Sequence, residues 1–429
     1  MKSEQFSTDG QRSGAKSGPG MTGCPHIDLA DPESFRGGMP REVFRYLRNE
    51  QPIYWHEDPA QGVGFWAITR QKDLDFISKN PLLFSSEEKS SQLGECDPEF
   101  LPVLRTQMIN MDPPQHLKYR RLVRSAFTPR NVDSYSARFR EIARDIIDRV
   151  VENGQCEFVE DVSAELPLIA ICELMGVPLD SRRRIFELTN ILIGTDDPEL
   201  ADSVEDGMNA MAEVWMMAQD LAIEHRKNPQ DDIVNTLLHG TVEDEPLTDE
   251  EFSNFFLLLM VAGNETTRNA TTHGMRLLIE HDQYRLLVDN PDLLEGAIEE
   301  ILRYNPPVIA FSRRAMKDVE VGGTLIRKGD KVELFYGSAS ADEEVFSDVD
   351  VFDITRAQRE DVRNNHRAFG IGQHFCLGSH LARLELKVIF NEILGRIRNP
   401  RFIGEVRWLR SNLINGIKQM PIAFDVVER

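Results

Sequence analysis

From Thr248 to His281 the sequence keeps a helical pattern for 34 residues. At about 1.5 Å per residue such a helix is roughly 50 Å long, the full width of a domain. Its middle, including Phe255 to Ala262 (FFLLLMVA), is apolar all round, which places it inside a core rather than on one. Yet the centre of the segment reads Ala262-Gly263-Asn264-Glu265-Thr266-Thr267. A carboxylate, two hydroxyls and a helix-weakening glycine stand where burial penalises them, so something in the fold must compensate.

The rest of the chain is read around that helix. Further helical patterns cover 116–127, 132–151, 166–175, 182–192 and 203–225, and a last helix runs from near Gly378 to about Arg396. Short strands are expected at 52–55 and 64–69, then across 319–338, where Gly322-Gly323 and Lys328-Gly329-Asp330 supply turns. The tail, 412–427, reads as a loop followed by a strand. No repeat, linker or composition shift marks a second domain. The expectation is a mainly α (α+β) fold, with a disordered tail over 1–24 and a single domain over 25–429.

Composition narrows the function. There are 49 basic and 71 acidic residues, a net charge of −22. Neutralising phosphates needs a basic surface, so a general nucleic-acid binder is excluded and any basic partner site must be local. The apolar run Phe255 to Ala262 is far below the roughly 20 residues of a membrane span. The N-terminal stretch lacks the apolar centre of a secretory signal, which predicts a cytoplasmic location.

The five cysteines, at 24, 96, 156, 172 and 376, are scattered and include no Cys-x-x-Cys pair. Only Cys376 has a distinctive setting, Phe369-Gly370-Ile371-Gly372-Gln373-His374-Phe375-Cys376-Leu377-Gly378. Two glycines permit a tight turn and leave the cysteine at a helix N-terminus, where free N–H groups favour thiolate over thiol. A lone thiolate is wrong for structural zinc and right for an axial ligand to haem iron. Two blander readings stand beside this one. Gly370-x-Gly372 could be half of a dinucleotide loop, but the third glycine and the acidic residue of that fingerprint are missing. An isolated cysteine is also often just a small buried hydrophobe.

The string FGIGQHFCLG resembles the haem-binding signature of the cytochrome P450 monooxygenases, and the resemblance extends over nearly the whole chain from about residue 30. Three more motifs follow the family's pattern: Ala262 to Thr267 resembles its oxygen-activation motif, Glu300-Ile301-Leu302-Arg303 its Glu-x-x-Arg pair, and Phe352-Asp353 to Arg356 the segment that closes onto that pair. The resemblance implies the P450 fold, a large helical domain around haem b with small sheets. It implies Cys376 as the axial iron ligand, with Phe369, Gly370, Gly378, Ala262 and Gly263 against the cofactor. Thr266 and Glu265 would be the catalytic alcohol and acid. Protons must reach bound dioxygen, and a buried acid and alcohol suit that task; the Thr266 hydroxyl can also bond back to the Ala262 carbonyl. Gly263 would keep the helix thin there. Glu300, Arg303 and Arg356 would be structural; as a bare exposed pair Glu300 and Arg303 would contribute only ~0.2–0.5 kcal/mol.

Haem propionates need cationic or hydrogen-bonding partners. His116 and Arg120, four apart on one helix face, match the family's propionate-binding positions, as do Arg313 and His374. Arg314 is an alternative to Arg313. One departure from the common pattern is Ala368, where many relatives have glycine before Phe369.

The resemblance is to the bacterial type that takes electrons from NAD(P)H through a separate reductase and a ferredoxin. Lys118, Arg120, Arg121, Arg124 and Arg130, with Arg363 and Arg367, are the expected basic docking patch for that acidic donor. Segments 263–269, 64–68 and 410–418 look most like hydroxylases of terpenoid alcohols and sterol side chains. The segments 308–311, 413–414 and parts of 86–111, expected around the substrate, offer no clear cation for a carboxylate. Fatty acids or aromatic hydrocarbons are the alternative substrates. A haem-thiolate peroxygenase, which would not need the Glu265-Thr266 proton relay, or a haem sensor or carrier, which would need no substrate channel or electron donor, is the alternative function.

Overall fold

The computed structural model describes residues 27–427 apart from 59–61, 96, 97 and 231. The expected tail over 1–24, the start of order at Pro25, Cys24 and Cys96 lie outside the described residues.

The long helix forms as the sequence requires, Asp249–Glu280, and is unbroken through Gly263. Its start is fixed by a capping box: the Thr248 side chain accepts from the Glu251 N–H while the Glu251 carboxylate accepts from the Thr248 N–H. Around it pack helices Glu165–Leu174, Arg182–Ile193, Val204–Lys227, Leu294–Tyr304 and Ser379–Arg396. Their buried apolar residues merge with those of helix Ser136–Val151 into one large core. The central helix therefore has neighbours on most sides.

A five-stranded sheet has the spatial order Ile53–His56, Phe65–Ile68, Lys331–Phe335, Ala310–Ala315, Phe84–Ser85. Only the contact between Phe65–Ile68 and Lys331–Phe335 is parallel. A second, antiparallel sheet joins Ile397–Phe402, Pro421–Val426 and Gln155–Glu157.

Several boundaries differ from the sequence reading. The helix expected over 116–127 is Gln115–Val123, and that expected over 132–151 is two pieces, Pro129–Ser134 and Ser136–Val151. Proline at the first helical position starts the shorter piece. The β stretch over 319–338 is not one unit. Val319–Val321 and Thr324–Ile326 form a hairpin turned at Gly322 (φ 52°) and Gly323 (φ 83°), whereas Lys331–Phe335 joins the five-stranded sheet. The residues after it, Tyr336–Ala339, make a helical turn.

Candidate functional site: a cavity between a cysteine loop and the central helix

The cysteine loop is folded by its glycines. Gly370 (φ 67°) and Gly372 (φ 76°) adopt the left-handed backbone that other residues resist. A Cβ on Gly372 would lie 2.5 Å from the Ser78 carbonyl oxygen, so the loop rests on helix Gln71–Lys79. The Cys376 N–H donates to the Phe369 carbonyl at 2.9 Å, closing the turn just before helix Ser379–Arg396. Burial pushes the Cys376 thiol up; a backbone hydrogen bond from Gly378 and the charges of Arg120 and Arg383 pull it down. The helix terminus expected to favour the thiolate is present, but burial outweighs it. A metal bound at this sulfur would favour the thiolate instead.

Cys376 opens onto a cavity that Phe369, Gly370, Leu377, Gly378 and Ala382 also line, together with Ala262, Gly263, Thr266 and Thr267 of the central helix. This explains an oddity of that helix. Asn264 and Glu265 are fully buried, yet Ala262, close by in the molecular centre, is exposed: it faces the cavity. Gly263 has a second role beyond leaving room, because a Cβ there would lie 2.9 Å from the tip of Ile171 on helix Glu165–Leu174.

At one end of the cavity four nitrogen-bearing side chains converge, His116, Arg120, Arg313 and His374. The two imidazoles stack with centroids 4.1 Å apart, and His116 Nδ1 has no partner among the described residues. Burial, then the charges of Arg120 and Arg313, push His116 down to about 4; burial and the same neighbours hold His374 well below the usual range. Arg120 donates to the Phe375 carbonyl at 2.5 Å and Arg313 to the Ser312 carbonyl at 2.6 Å. A buried guanidinium, a half-buried one and two neutral imidazoles along the cavity can pair with and hydrogen-bond anionic groups, as haem propionates are. Arg314 points to the other face of its strand and bonds Glu95 and the Gly329 carbonyl, so it does not replace Arg313.

The pattern of the whole sequence agrees. A family model described as cytochrome P450 matches residues 287–398. A steroid C26-monooxygenase of Rhodococcus jostii is 39% identical over 408 residues, covering 93% of this chain and 84% of that protein. The chain belongs to the cytochrome P450 family. A linalool 8-monooxygenase of Pseudomonas putida is 36% identical, covering 92% of this P450 and 98% of that protein. The crystallised Mycobacterium marinum cytochrome P450 in complex with pseudoionone has a TM-score of 0.85 at 33% identity, covering 94% of this chain and 99% of that one. This P450 is a monooxygenase, and its family works with haem iron, dioxygen and a redox partner. No helix among its described residues is long and apolar enough to cross a membrane.

In this P450 the acid and alcohol of the central motif part company. Thr266 lines the large cavity and donates to the Ala262 carbonyl at 2.9 Å. Glu265 does not line it. Its carboxylate accepts from Arg268 and lines a separate, small cavity with Phe186, Asn190 and Lys418. Burial raises the Glu265 carboxyl against the opposing charge of Arg268, and Oε1 has no partner among the described residues. Arg268 is itself held by Asn190 Oδ1 at 2.6 Å, and Asn264 by Thr189 at 3.0 Å.

The three structural residues do meet. Arg303 donates to both oxygens of Glu300 at 2.7 and 2.8 Å, and Arg356 Nε to both at 3.1 Å, all three fully buried. Arg356 also ties the carbonyls of Ser347, Asp348 and Val351, and the Asp353 N–H donates to Glu300. The value of an exposed helical pair does not apply to such a network.

Two other expectations need correction. Arg367 is no part of a docking surface: it is buried and paired with Asp75 at 2.7 and 3.0 Å. Lys118 is engaged by Glu243, while Arg121, Arg124, Arg130 and Arg363 are exposed. Leu413 and Ala310 face a neighbouring cavity shared with Asp31 and Asp196, and Ile414 is buried in a bridge to Val308. The sequence reading also passed over Arg268, Glu299, His366 and Arg383. Their roles depend on partners far away in the chain, and only the doubled acid Glu299-Glu300 left a visible trace.

Proposed function

We propose that this P450 binds haem b through Cys376 and hydroxylates an apolar isoprenoid, a terpenoid or steroid, in the cytoplasm. The reading rests on one observation: a single cavity lined by a lone cysteine, by Ala262, Gly263, Thr266 and Thr267 of the central helix, and by His116, Arg120, Arg313 and His374. His116, Arg120, Arg313 and His374 would hold the propionates, and Phe369, Gly370, Gly378, Ala262 and Gly263 would flank the ring. When bound, haem would supply the iron that binds and activates dioxygen. Thr266 would turn its hydroxyl proton from the Ala262 carbonyl toward the cavity, and Glu265 would replenish it after leaving Arg268.

The substrate class follows from the rest of the lining. Met108, Ile109, Leu258, Leu259, Val308 and Phe311 offer apolar surface and no charge. Such a wall favours a neutral hydrocarbon skeleton over a carboxylate. The named substrates of the steroid and linalool enzymes agree with that chemistry. Electrons would come from NAD(P)H through a separate reductase and a ferredoxin docking on Arg121, Arg124, Arg130 and Arg363. Residues 25–429 would form one domain.

Titrating the haem-loaded protein with terpenoid alcohols, sterols, fatty acids and aromatic hydrocarbons, read as a spin-state shift, tests the substrate. A terpenoid or sterol is expected to give the largest shift. A shift with fatty acids or aromatic hydrocarbons alone would overturn the assignment. Turnover supported by reductase and ferredoxin but not by hydrogen peroxide alone is expected; the reverse would favour a peroxygenase.

A further inference from the structure

Helix Leu294–Tyr304 carries two adjacent carboxylates, and they serve different parts of the fold. Glu300 binds Arg303 and Arg356. Glu299, one residue and about 100° round the helix, turns to the cysteine loop. Its carboxylate accepts from Arg383 at 2.7 and 2.9 Å and meets His366 Nε2 at 3.0 Å.

His366 is buried, and its other ring nitrogen, Nδ1, accepts the Ala368 N–H at 3.2 Å. A nitrogen that accepts carries no proton, so the imidazole is neutral with its proton on Nε2, donated to Glu299. Ala368 precedes Phe369, whose carbonyl accepts the Cys376 N–H at 2.9 Å. A chain of hydrogen bonds thus runs from Glu299 through His366 to the turn that presents the sulfur. Arg383 completes the arrangement: its guanidinium stands 4.4 Å from the centre of the Phe369 ring, in the loop that carries Cys376. Burial raises the Glu299 carboxyl, but the hydrogen bonds from His366 and Arg383 and the charge of Arg383 outweigh it and hold the group low, so it is ionised at neutral pH.

We propose that Glu299 and His366 are positioning residues for the cysteine ligand. Glu299 fixes the tautomer with which His366 holds the turn, and its negative charge offsets Arg383 beside the sulfur. The inference rests on Cys376 being the iron ligand. Its electrostatic half has a definite sign. Without the charge of Glu299, Arg383 acts on the iron–sulfur unit uncompensated, which favours the reduced state; without Arg383 the opposite holds.

The test uses the haem-loaded full chain. The midpoint reduction potential and the stability of the reduced carbonyl spectrum are measured for wild type, Glu299→Gln, Arg383→Gln, His366→Asn and His366→Gln. Asparagine places an oxygen near the position of Nδ1 and keeps the acceptor for Ala368; glutamine reaches the position of Nε2 and loses it. We expect the potential to rise in Glu299→Gln and fall in Arg383→Gln. His366→Asn should keep the thiolate-type carbonyl band, and His366→Gln should decay to the imidazole-type band faster. Equal potentials, shifts of the same sign, or equal decay of the two His366 variants would overturn the proposal. Should Glu299→Gln fail to fold, Arg383→Gln alone decides the sign, and an upward or absent shift counts against it. An imidazole-type band already in wild type would instead remove the ligand assignment underneath.

Discussion

Glu265 and Thr266 are neighbours in sequence, yet they face two different cavities, because successive residues on a helix point about 100° apart. The alcohol is already where the chemistry is expected, and the acid is held away from it by Arg268 and, behind that, Asn190. Reach of the acid is thus controlled by groups outside the motif itself.

Replacing Thr266 by alanine removes the hydroxyl and leaves the cavity wall otherwise intact. Product formed per electron consumed should fall by about 10²-fold, in the range typical of lost proton transfer, while reductant is still oxidised. Comparing hydroxylated product with hydrogen peroxide released checks this. Unchanged coupling would show that Thr266 is only a back-bonded helix residue.

Arg268 lowers the carboxyl that burial raises. In Arg268→Gln the Glu265 carboxyl should keep its proton to higher pH, and the alkaline limb of the turnover profile should move upward. A profile that stays in place would separate Glu265 from proton delivery.

Glu300 is the carboxylate shared by two fully buried guanidinium groups, of which Arg356 also meets Glu360 at 3.2 Å. Glu300→Ala leaves Arg303 buried without its carboxylate and Arg356 with one of two, so a loss of about 3–5 kcal/mol is expected from denaturant unfolding, with poor haem retention. A loss below ~1 kcal/mol, the scale of exposed pairs, would contradict the network described above.

Two buried histidines make the haem-free protein acid-sensitive. His116 is depressed to about 4 and His273 to about 3, each chiefly by burial. Unfolded, both would take up protons near pH ~6.5. Their contribution to stability is therefore complete above that pH, and falls away as pH drops through the folded values. Thermal melts of the haem-free protein between pH 7 and 4 should show the decline, and His116→Asn should lessen it.

How much of this could be read from the sequence depended on distance along the chain. The cysteine loop and the pair His116/Arg120 were legible because their geometry is local: two glycines make the turn, and a spacing of four sets one helix face. The central helix was legible to within a residue at each end because its helical pattern continues without a break over that whole length. The strand Ala310–Ala315 was not, since Ser312, Arg313 and Arg314 break any apolar alternation while being buried by the sheet and its neighbours. The orientation of Glu265 was hidden for a similar reason. It is set by Arg268 together with Asn190 of another helix, and no spacing within the motif encodes that contact.

The central claim is that Cys376 is the iron ligand, and the optical spectrum of the reduced, carbon-monoxide-treated protein tests it most directly. The account predicts the red-shifted absorption of a thiolate-ligated haem in wild type and its loss in Cys376→Ala. A wild-type spectrum of the ordinary imidazole-ligated kind, or a Cys376→Ala protein that keeps the red-shifted band, would contradict it.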